Sequence, residues 1–345
     1  MPKTMWAAVL AAPGTPLDVR EVPIPAPGPG ELLVKLEACG ICHTDLHVLN
    51  AAALPDGAPE PLILGHEGIG RVVARGAGAT RIPEGTRVGV PWLHDTCGSC
   101  RECLTGWESF CATHRAHGYN VNGGYAEYAV IKERFAAEVP PALDPADAAP
   151  LLCAGVTAYG GLRKAELEPG KTCVIIGCGG LGQYGIQLAK MAGAKVIAVD
   201  SSEGKLRRAK ALGADHVFLA QDDAGAKIRD LGGADACVNF APSAAVWDTI
   251  VKAINPRGWI ISVAMVSQPV DLSLEWLTVS GARITGTSVG TRQELQDLLA
   301  LASFRSLSIP IERVALRNVN DALDRLSRGE VEGRIVIDFT QQDIR

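Results

Sequence analysis

The hydrophobic and polar positions follow one pattern in the first part of the chain and another in the middle. Up to residue 154, short apolar or alternating runs such as 31–40 (ELLVKLEACG) are separated by turns rich in Pro and Gly. This pattern is typical of a compact all-β domain. The opening runs, 6–12 and 17–22, flank a Pro-Gly turn and predict a hairpin of two strands.

From residue 155 onward, apolar strands alternate with helical stretches. The predicted strands lie at 172–176, 195–200 and 214–218, the helices between them at 181–193 and 206–213, and further strand candidates at 234–240 and 258–264. Such a βαβαβ series predicts a parallel sheet covered by helices. After residue 289 the chain returns to short helices and strands, so we predict an α/β protein in which 155–288 forms a separate domain.

The composition excludes several classes of protein. The chain has 345 residues, 47% apolar and 21% charged, with a net charge of -5, which is typical of a soluble globular protein of about two domains of ~150 residues. No apolar run is long enough to span a bilayer. Basic residues are scattered, and no aromatic RNA-binding motif accompanies them. We therefore predict no membrane and no nucleic-acid partner.

Four cysteines, Cys97, Cys100, Cys103 and Cys111, lie in the short run CGSCRECLTGWESFC. Four thiolates at this spacing can converge on one tetrahedral zinc ion and leave no coordination position open, so such a site stabilises a loop and catalyses nothing. Two disulfides or scattered buried thiols are the alternatives, but disulfide frameworks belong mainly to short secreted chains. Thiolate ligands suit a reducing compartment, which predicts a cytoplasmic protein.

A glycine-rich loop lies between the strand at 172–176 and the helix that follows it. Gly177, Gly179 and Gly182 have the G-x-G-x-x-G spacing of dinucleotide-binding domains. The first glycine allows a tight turn, the second lets a pyrophosphate approach the backbone, and the third lets helix and strand pack closely. Because strand, loop and helix are in register, the motif predicts a dinucleotide site.

The cofactor predicted for this loop is NAD. Asp200 ends the next strand, where a carboxylate binds the ribose hydroxyls and repels a 2′-phosphate. Gly180 and Leu181 complete the predicted phosphate contacts. Lys205, Arg207 and Arg208 lie nearby and leave NADP open as the alternative.

A second set of potential metal ligands lies upstream, in GICHTDLH and GHEG. Its members are Cys42, His43, Thr44, Asp45, His47, His66 and Glu67. A lone His or Cys in a β-domain is more often packed or solvated than a ligand, and these residues are not all adjacent in sequence. Spacing alone therefore leaves this site unassigned.

Together these residues resemble those of zinc-dependent alcohol dehydrogenases of the medium-chain dehydrogenase/reductase family, in the short bacterial and yeast type. The resemblance covers nearly the whole chain. It rests on CGICHTDLH at 39–47, GHEGIG at 65–70, the four-cysteine run, LLCAGVTAYGGL at 151–162, GCGGLG with Asp200, and EGRIVIDF at 332–339. It implies a GroES-like β-domain over 1–154, completed by 289–345, and a doubly wound Rossmann domain over 155–288.

The resemblance also implies a catalytic zinc ion besides the structural one, and so two zinc ions per chain. Its ligands would be Cys42, His66 and Cys153, with a fourth position for water or substrate. Glu67 would approach the metal or bind it transiently. Asp45 would orient the ligand imidazole.

The remaining implied roles concern proton release and the cofactor. Thr44 would receive the alcohol proton and His47 would pass it to solvent. The other implied cofactor contacts are His43 and Arg334 at the phosphates, Lys205 at the adenosine ribose, and Val263 at the nicotinamide.

The substrate pocket departs from the ethanol-preferring relatives. Where those proteins carry Gly-Asp-Trp-Pro after the relay histidine, this chain has Ala-Ala-Ala-Leu at 51–54, so Ala53 replaces an indole that narrows the pocket. Trp92 and Met265 would also line the pocket. We expect longer, secondary or aromatic alcohols to be accepted. The alternative is an ordinary loop in a different alignment register.

The implied activity is reversible oxidation of small alcohols with NAD. The alternatives are a carbonyl reductase of the same fold and a non-catalytic NAD-binding protein, since fold does not fix function. Relatives assemble as tetramers or dimers, so a homotetramer is expected. The strand candidate 258–264 is expected at the sheet edge, where it would pair between subunits.

Overall fold

The computed structural model describes residues 2–340. The chain forms two compact units. The first extends up to Ala154 and resumes at Thr291, and the second is Gly155–Gly290.

The strands and helices of the described residues are numbered in chain order. The strands are β1 (Thr4–Leu10), β2 (Asp18–Pro23), β3 (Glu31–Gly40), β4 (Leu62–Ile63), β5 (Gly68–Arg75), β6 (Arg87–Val90), β7 (Leu93–Asp95), β8 (Arg115–Ala116), β9 (Tyr128–Lys132), β10 (Ala137–Glu138), β11 (Thr172–Ile176), β12 (Lys195–Asp200), β13 (His216–Leu219), β14 (Ala234–Asn239), β15 (Ile254–Ser262), β16 (Arg283–Gly286), β17 (Ile311–Val314) and β18 (Arg334–Asp338). The helices are α1 (His43–Leu49), α2 (Arg101–Leu104), α3 (Pro145–Ala148), α4 (Ala154–Lys164), α5 (Gly180–Met191), α6 (Glu203–Ala211), α7 (Ala224–Asp230), α8 (Val246–Ala253), α9 (Leu274–Ser280), α10 (Arg292–Phe304) and α11 (Val319–Ser327). Among these described helices, none combines the length and the apolar character that crossing a membrane requires.

The first unit is built mainly from antiparallel strands of both chain ends. Its larger sheet has the order β10-β6-β5-β3-β18-β17, with β9 also paired to β3. The C-terminal strand β18 runs antiparallel to β3, with Val336 opposite Gly40. The predicted N-terminal hairpin is confirmed, since β1 and β2 pair antiparallel from Thr4 opposite Pro23 to Val9 opposite Asp18. Buried apolar side chains from these strands form the core of this unit.

The second unit contains a parallel sheet in the order β13-β12-β11-β14-β15-β16. The order reverses between β11 and β14, as in doubly wound nucleotide-binding folds. The central strands are apolar and buried on both faces, which explains the continuous hydrophobic runs in the sequence. The predicted fold class, a β-domain together with a parallel-sheet α/β domain, is confirmed.

The expectation that residues 258–264 form the sheet edge is wrong. They fall largely in β15, which is hydrogen-bonded to β14 on one side and to β16 on the other. The edge strand is β16, whose four residues (RITG) are mostly exposed. A short strand without buried alternating positions gives no strong periodic signal, so the sequence pattern missed it.

Helix α10 begins at a reciprocal cap. The Thr291 hydroxyl accepts a hydrogen bond from Glu294 N (3.1 Å), and the Thr291 N–H donates to Glu294 Oε2 (2.9 Å). Both residues are buried. This capping box gives a hydrogen-bond acceptor to two backbone N–H groups at the start of the helix, those of Thr291 and Glu294.

We expect Thr291→Ala to lower the free energy of unfolding by about 1 kcal/mol, because the helix loses its capping oxygen. Thr291→Ser keeps that oxygen and serves as the matched control, with a smaller loss. Denaturant unfolding of both variants checks this. Equal stability of Thr291→Ala and the wild-type chain would contradict the role of the cap.

Candidate functional site

The four cysteines of the run at 97–111 converge in the first unit. Their sulfur atoms all lie within 4.8 Å of one another. Cys97 Sγ is 3.9 Å from Cys103 Sγ and 3.7 Å from Cys111 Sγ. A tetrahedron with metal–sulfur distances of ~2.3 Å has edges of about 3.8 Å, so the sulfur positions fit one zinc ion. All ten cysteines are free in the described residues, which argues against the disulfide alternative.

The backbone around Cys97 favours the thiolate form that a metal requires. The N–H groups of Ser99 and Cys100 lie 3.5 Å and 3.3 Å from Cys97 Sγ and donate to it. These hydrogen bonds lower the pKa of Cys97 to about 6. Gly98 has a φ of 71°, a conformation that turns the chain so that both N–H groups face the sulfur.

A second cluster lies deeper in the same unit. One potential ligand atom from each of Cys42, His66, Glu67 and Cys153 falls within 4.8 Å of the others. Cys42 precedes α1, His66 and Glu67 lie between β4 and β5, and Cys153 precedes α4. The sulfur atoms of Cys42 and Cys153 are 3.9 Å apart, again the edge length of a tetrahedral thiolate site.

Several buried polar atoms of this cluster have no partner. Among residues 2–340, neither ring nitrogen of His66 makes a hydrogen bond, and neither does Glu67 Oε2. His66 is 1% exposed and Glu67 is fully buried. Because buried polar groups are normally satisfied, the donor set of two sulfurs, an imidazole and a carboxylate fits a metal ion.

The charges of the cluster are strongly coupled. A hydrogen bond with Cys153 lowers the pKa of Cys42, and the same bond together with burial raises the pKa of Cys153. Burial alone would lower the pKa of His66, but Asp45 and Cys42 raise it well above its usual value. Burial raises the pKa of Glu67 to about 7, although the neighbouring Arg334 acts in the opposite direction. With several acidic groups in one buried pocket, a negative charge on each of them is costly, so a cation bound there would be favoured.

Arg334 begins β18 and is buried beside this cluster. One guanidinium nitrogen donates to Glu67 Oε1 at 2.5 Å and to the Ile41 carbonyl oxygen at 2.8 Å. Sequence reasoning assigned Arg334 to a cofactor phosphate. In this structure it pairs with Glu67 and holds the backbone just before Cys42, and its contact with a cofactor phosphate stays a prediction.

Helix α1 carries the residues predicted to move the proton. Thr44 is half-buried, with its hydroxyl oxygen 3.7 Å from Cys42 Sγ. His43 and His47 are exposed and four residues apart, which puts them on one face of the helix. Asp45 is buried in the first turn and accepts a hydrogen bond from Cys42 N at 2.8 Å.

Of the predicted substrate residues, only Trp92 lies against the second cluster. Its ring meets His66 edge-on at a centroid distance of 5.2 Å, and Tyr119 packs on its other side at 5.4 Å. Ala53 is exposed in the loop after α1, and Met265 of the second unit is 72% exposed. Sequence reasoning missed Tyr119, because a lone Tyr in a glycine-rich segment carries no recognisable chemical pattern.

Two buried histidines, His94 and His117, lie close to the backbone of Trp92. Their rings are hydrogen-bonded at 3.1 Å, and His117 Nδ1 donates to the Pro91 carbonyl oxygen at 2.7 Å. Burial lowers the pKa of His94 to about 2 and that of His117 to about 4. His117 holds the backbone before and at Trp92, because its backbone N also donates to the Trp92 carbonyl oxygen.

The glycine loop of the second unit has the geometry that its motif requires. Gly177 has a φ of 87°, and a Cβ there would lie 2.8 Å from Ala241 N. A Cβ on Gly182 would lie 1.9 Å from the Gly177 carbonyl oxygen, so helix α5 can approach β11 only at a glycine. A Cβ on Gly179 would meet no described atom within 4 Å. The space over Gly179 and the N-terminus of α5 therefore fit a pyrophosphate.

Asp200 is buried at the end of β12, next to this loop. Its Oδ2 accepts from Cys178 N at 2.8 Å, and its Oδ1 accepts from Ser202 N at 2.9 Å. Gly180 and Leu181 form the first turn of α5, Lys205 lies in α6, and Val263 N donates to the Asn239 carbonyl oxygen just beyond β15. The predicted cofactor residues of this unit thus gather around the carboxyl ends of parallel strands.

Comparisons with known proteins agree with both units. Residues 28–141 match the family model of the alcohol dehydrogenase GroES-like domain, and residues 180–303 match that of zinc-binding dehydrogenases. An alcohol dehydrogenase of Moraxella sp. (strain TAE123) is 40% identical over 338 residues, which is 97% of this chain and 100% of the relative.

Two solved structures bear on the ligands. Acetophenone reductase from Geotrichum candidum, solved in complex with NAD, has a TM-score of 0.86 and 32% identity over 98% of both chains. A thermostable alcohol dehydrogenase from Pyrobaculum aerophilum, solved with cobalt and zinc bound, has a TM-score of 0.87 and 29% identity over 97% of this chain and 99% of the other.

Two glycine variants separate packing from phosphate binding in the loop. Gly182→Ala should destabilise the protein by about 1–3 kcal/mol, because its Cβ would collide with the Gly177 carbonyl oxygen. Gly179→Ala should change stability by less than about 0.5 kcal/mol but weaken NAD binding roughly tenfold or more, because the added methyl group would occupy the space in which the pyrophosphate approaches the backbone. Thermal unfolding and NAD titration provide the measurements, and equal NAD affinity of Gly179→Ala and wild type would refute this placement.

Proposed function

The chain belongs to the alcohol dehydrogenases of the medium-chain dehydrogenase/reductase family, and we propose that it oxidises alcohols to aldehydes or ketones with NAD and zinc, reversibly. The family makes it an oxidoreductase. The single observation that carries the proposed chemistry is the buried cluster of Cys42, His66 and Cys153, with unpartnered ligand atoms and a tetrahedral sulfur spacing.

The two metal centres have different proposed tasks. The exposed four-cysteine site has a full set of protein ligands and would hold a structural zinc ion. The buried site offers two thiolates and one imidazole, and would keep a position for the substrate oxygen. Zinc bound there would act as a Lewis acid that favours ionisation of the alcohol, while NAD accepts the hydride.

The chain's own residues would position the substrate and release its proton. Thr44, half-buried beside Cys42, would accept the hydroxyl proton. His47 is exposed on the same helix, and an imidazole exchanges protons with solvent near neutral pH, so it would release that proton. Trp92 would form one wall beside the ligand His66. Glu67, with one unpartnered oxygen, would offer an alternative ligand while a bound molecule leaves.

NAD is proposed over NADP because of Asp200. Its buried carboxylate is fixed by two backbone N–H groups, so it cannot easily swing away from a ribose 2′-position. A 2′-phosphate there would meet a fixed negative charge.

The decisive experiment measures NAD reduction by the purified protein with ethanol, a secondary alcohol and benzyl alcohol. We expect activity with two zinc ions per chain, loss on chelation, and recovery when zinc is restored. Cys153→Ser should retain one zinc ion and lose activity while staying folded. Cys103→Ser is the comparison variant. It should also retain one zinc ion, but its main defect should be in stability and not in activity. If the zinc-loaded protein reduced NAD with none of the alcohols and oxidised NADH with no carbonyl compound, a non-catalytic role would replace this proposal.

Ala53 is proposed to widen the substrate pocket. Ala53→Trp should raise the preference for ethanol over benzyl alcohol by roughly tenfold in the ratio of kcat/KM, because the indole fills space that a larger substrate needs. Ala52→Trp, at the exposed neighbouring position, is the matched control and should leave the ratio near that of wild type. An unchanged ratio in Ala53→Trp would show that this loop does not line the pocket.

A further inference from the structure

The buried carboxylate of Asp45 connects the two segments that supply Cys42 and His66. Asp45 Oδ2 accepts hydrogen bonds from Cys42 N at 2.8 Å and from the Tyr125 hydroxyl at 2.7 Å. Asp45 Oδ1 accepts from Gly65 N at 3.2 Å and lies 3.6 Å from His66 Nδ1. Asp45 is 1% exposed, so these contacts are made without competition from bulk water.

Tyr125 is the side-chain donor in this arrangement, and it is rigidly held. It is fully buried, and its ring lies so close to Gly65 that a Cβ there would be 2.5 Å from Tyr125 Cδ1. Gly65 also has a φ of 92°, so the chain needs a glycine there both for conformation and for space. The ring therefore packs directly against the backbone of Gly65, immediately before His66.

The backbone fixes Tyr125 as firmly as its ring does. Gly123 N, Gly124 N and Tyr125 N donate to the carbonyl oxygens of residues 63, 65 and 64, at 2.7, 2.9 and 2.9 Å. The segment that carries Tyr125 is thus hydrogen-bonded alongside the segment that leads to His66. The hydroxyl reaches Asp45 from a fixed support rather than from a mobile loop.

The direction of the hydrogen bond follows from the environment. Burial and the nearby Asp45 carboxylate raise the pKa of Tyr125 well above its usual value, so the hydroxyl stays protonated and donates a hydrogen bond to Asp45. A buried carboxylate is costly unless several donors share its charge. Among the described residues, Tyr125 is the one side chain that donates a hydrogen bond to Asp45; the other donors are backbone N–H groups.

We propose that Tyr125 is a positioning residue for the metal ligands Cys42 and His66, acting through Asp45. This inference rests on the proposed function, because it assumes that these ligands hold a metal ion. With the Tyr125 hydroxyl in place, Asp45 Oδ2 is directed toward Cys42 N and Oδ1 remains facing His66 Nδ1. Without it, Asp45 would be held by the N–H groups of Cys42 and Gly65 and not by a side chain, so the Oδ2 contact with Cys42 N and the approach of Oδ1 to His66 Nδ1 would be less firmly fixed.

A purely structural role for Tyr125 would be filling the core with its ring. Tyr125→Phe keeps the ring and removes only the hydroxyl, so it distinguishes the two roles. Tyr128 is the matched control, because it is a buried tyrosine of the same core and is not among the donors to Asp45. Tyr128→Phe therefore measures the general effect of removing a tyrosine hydroxyl from this unit.

The test measures zinc release from the zinc-loaded protein to a chromogenic chelator. Cys153→Ser, which lacks the buried site, identifies which release phase belongs to it. Tyr125→Phe should release the zinc ion of the buried site about tenfold faster than wild type, the lower end expected when a partner of a ligand is removed. Release from the four-cysteine site should be unchanged, and Tyr128→Phe should match wild type in both phases.

A second measurement uses cobalt in place of zinc. The visible absorption of cobalt bound to Cys42, His66 and Cys153 should shift in Tyr125→Phe and not in Tyr128→Phe, since it reports ligand geometry. In an Asp45→Asn background, adding Tyr125→Phe should change release by less than about twofold, because the shared carboxylate is already gone.

The outcomes separate this inference from the proposed function. Equal release rates and cobalt spectra for folded Tyr125→Phe and wild type would overturn the role of Tyr125 and leave the metal site intact. A tenfold effect that persists in the Asp45→Asn background would overturn the route through Asp45. A wild-type chain that retains only the zinc ion of the four-cysteine site would overturn the proposed function and this inference together.

Discussion

The constraint on which the first unit depends is the burial of several acidic groups around one point. Cys42, Cys153, Glu67 and Asp45 are all buried, and the cationic groups beside them are the His66 imidazole and the Arg334 guanidinium. Charges of one sign cannot be buried together without compensation. The positions of His66 and Arg334 are therefore as important to the fold as those of the sulfur ligands.

This requirement explains why the C-terminal strand returns to the N-terminal sheet. Arg334 binds Glu67 across 267 positions of sequence, and the strand that it begins, β18, pairs with β3 just before Cys42. The same guanidinium donates to the Ile41 carbonyl oxygen, so one side chain neutralises the pocket and fixes the approach to the first sulfur ligand. Removing the C-terminal segment would leave Glu67 buried without its counter-charge.

The features that the sequence could predict are the local ones. The four-cysteine run and the glycine loop each contain their chemistry within one short segment, and the alternation of apolar strands and helices identifies the parallel sheet. Cys42 and Cys153 are 111 positions apart, so no local spacing connects them, and only the family resemblance suggested the site. Tyr125 was beyond reach for a further reason: its contact with Asp45 arises because residues 123–125 happen to lie beside 63–65, a tertiary pairing without a sequence signature. The edge strand β16 escaped because its residues are exposed and lack the alternation that marks a half-buried strand.

The two cysteine clusters differ in burial, in line with the structural and catalytic tasks proposed for them. In the four-cysteine cluster, all four potential sulfur ligands and the two backbone N–H groups that donate to Cys97 come from the single segment 97–111. In the buried cluster, the potential ligands come from three separate segments. Asp45 contacts two of these segments, those that carry Cys42 and His66. Metal binding there must release protons from the thiols, because Cys153 keeps its proton when it shares a hydrogen bond with Cys42. Because the Asp45 carboxylate, the Arg334 guanidinium and the backbone hydrogen bonds of this pocket join segments that are far apart in sequence, the ligands come together only when the chain folds, and metal binding there would be coupled to folding.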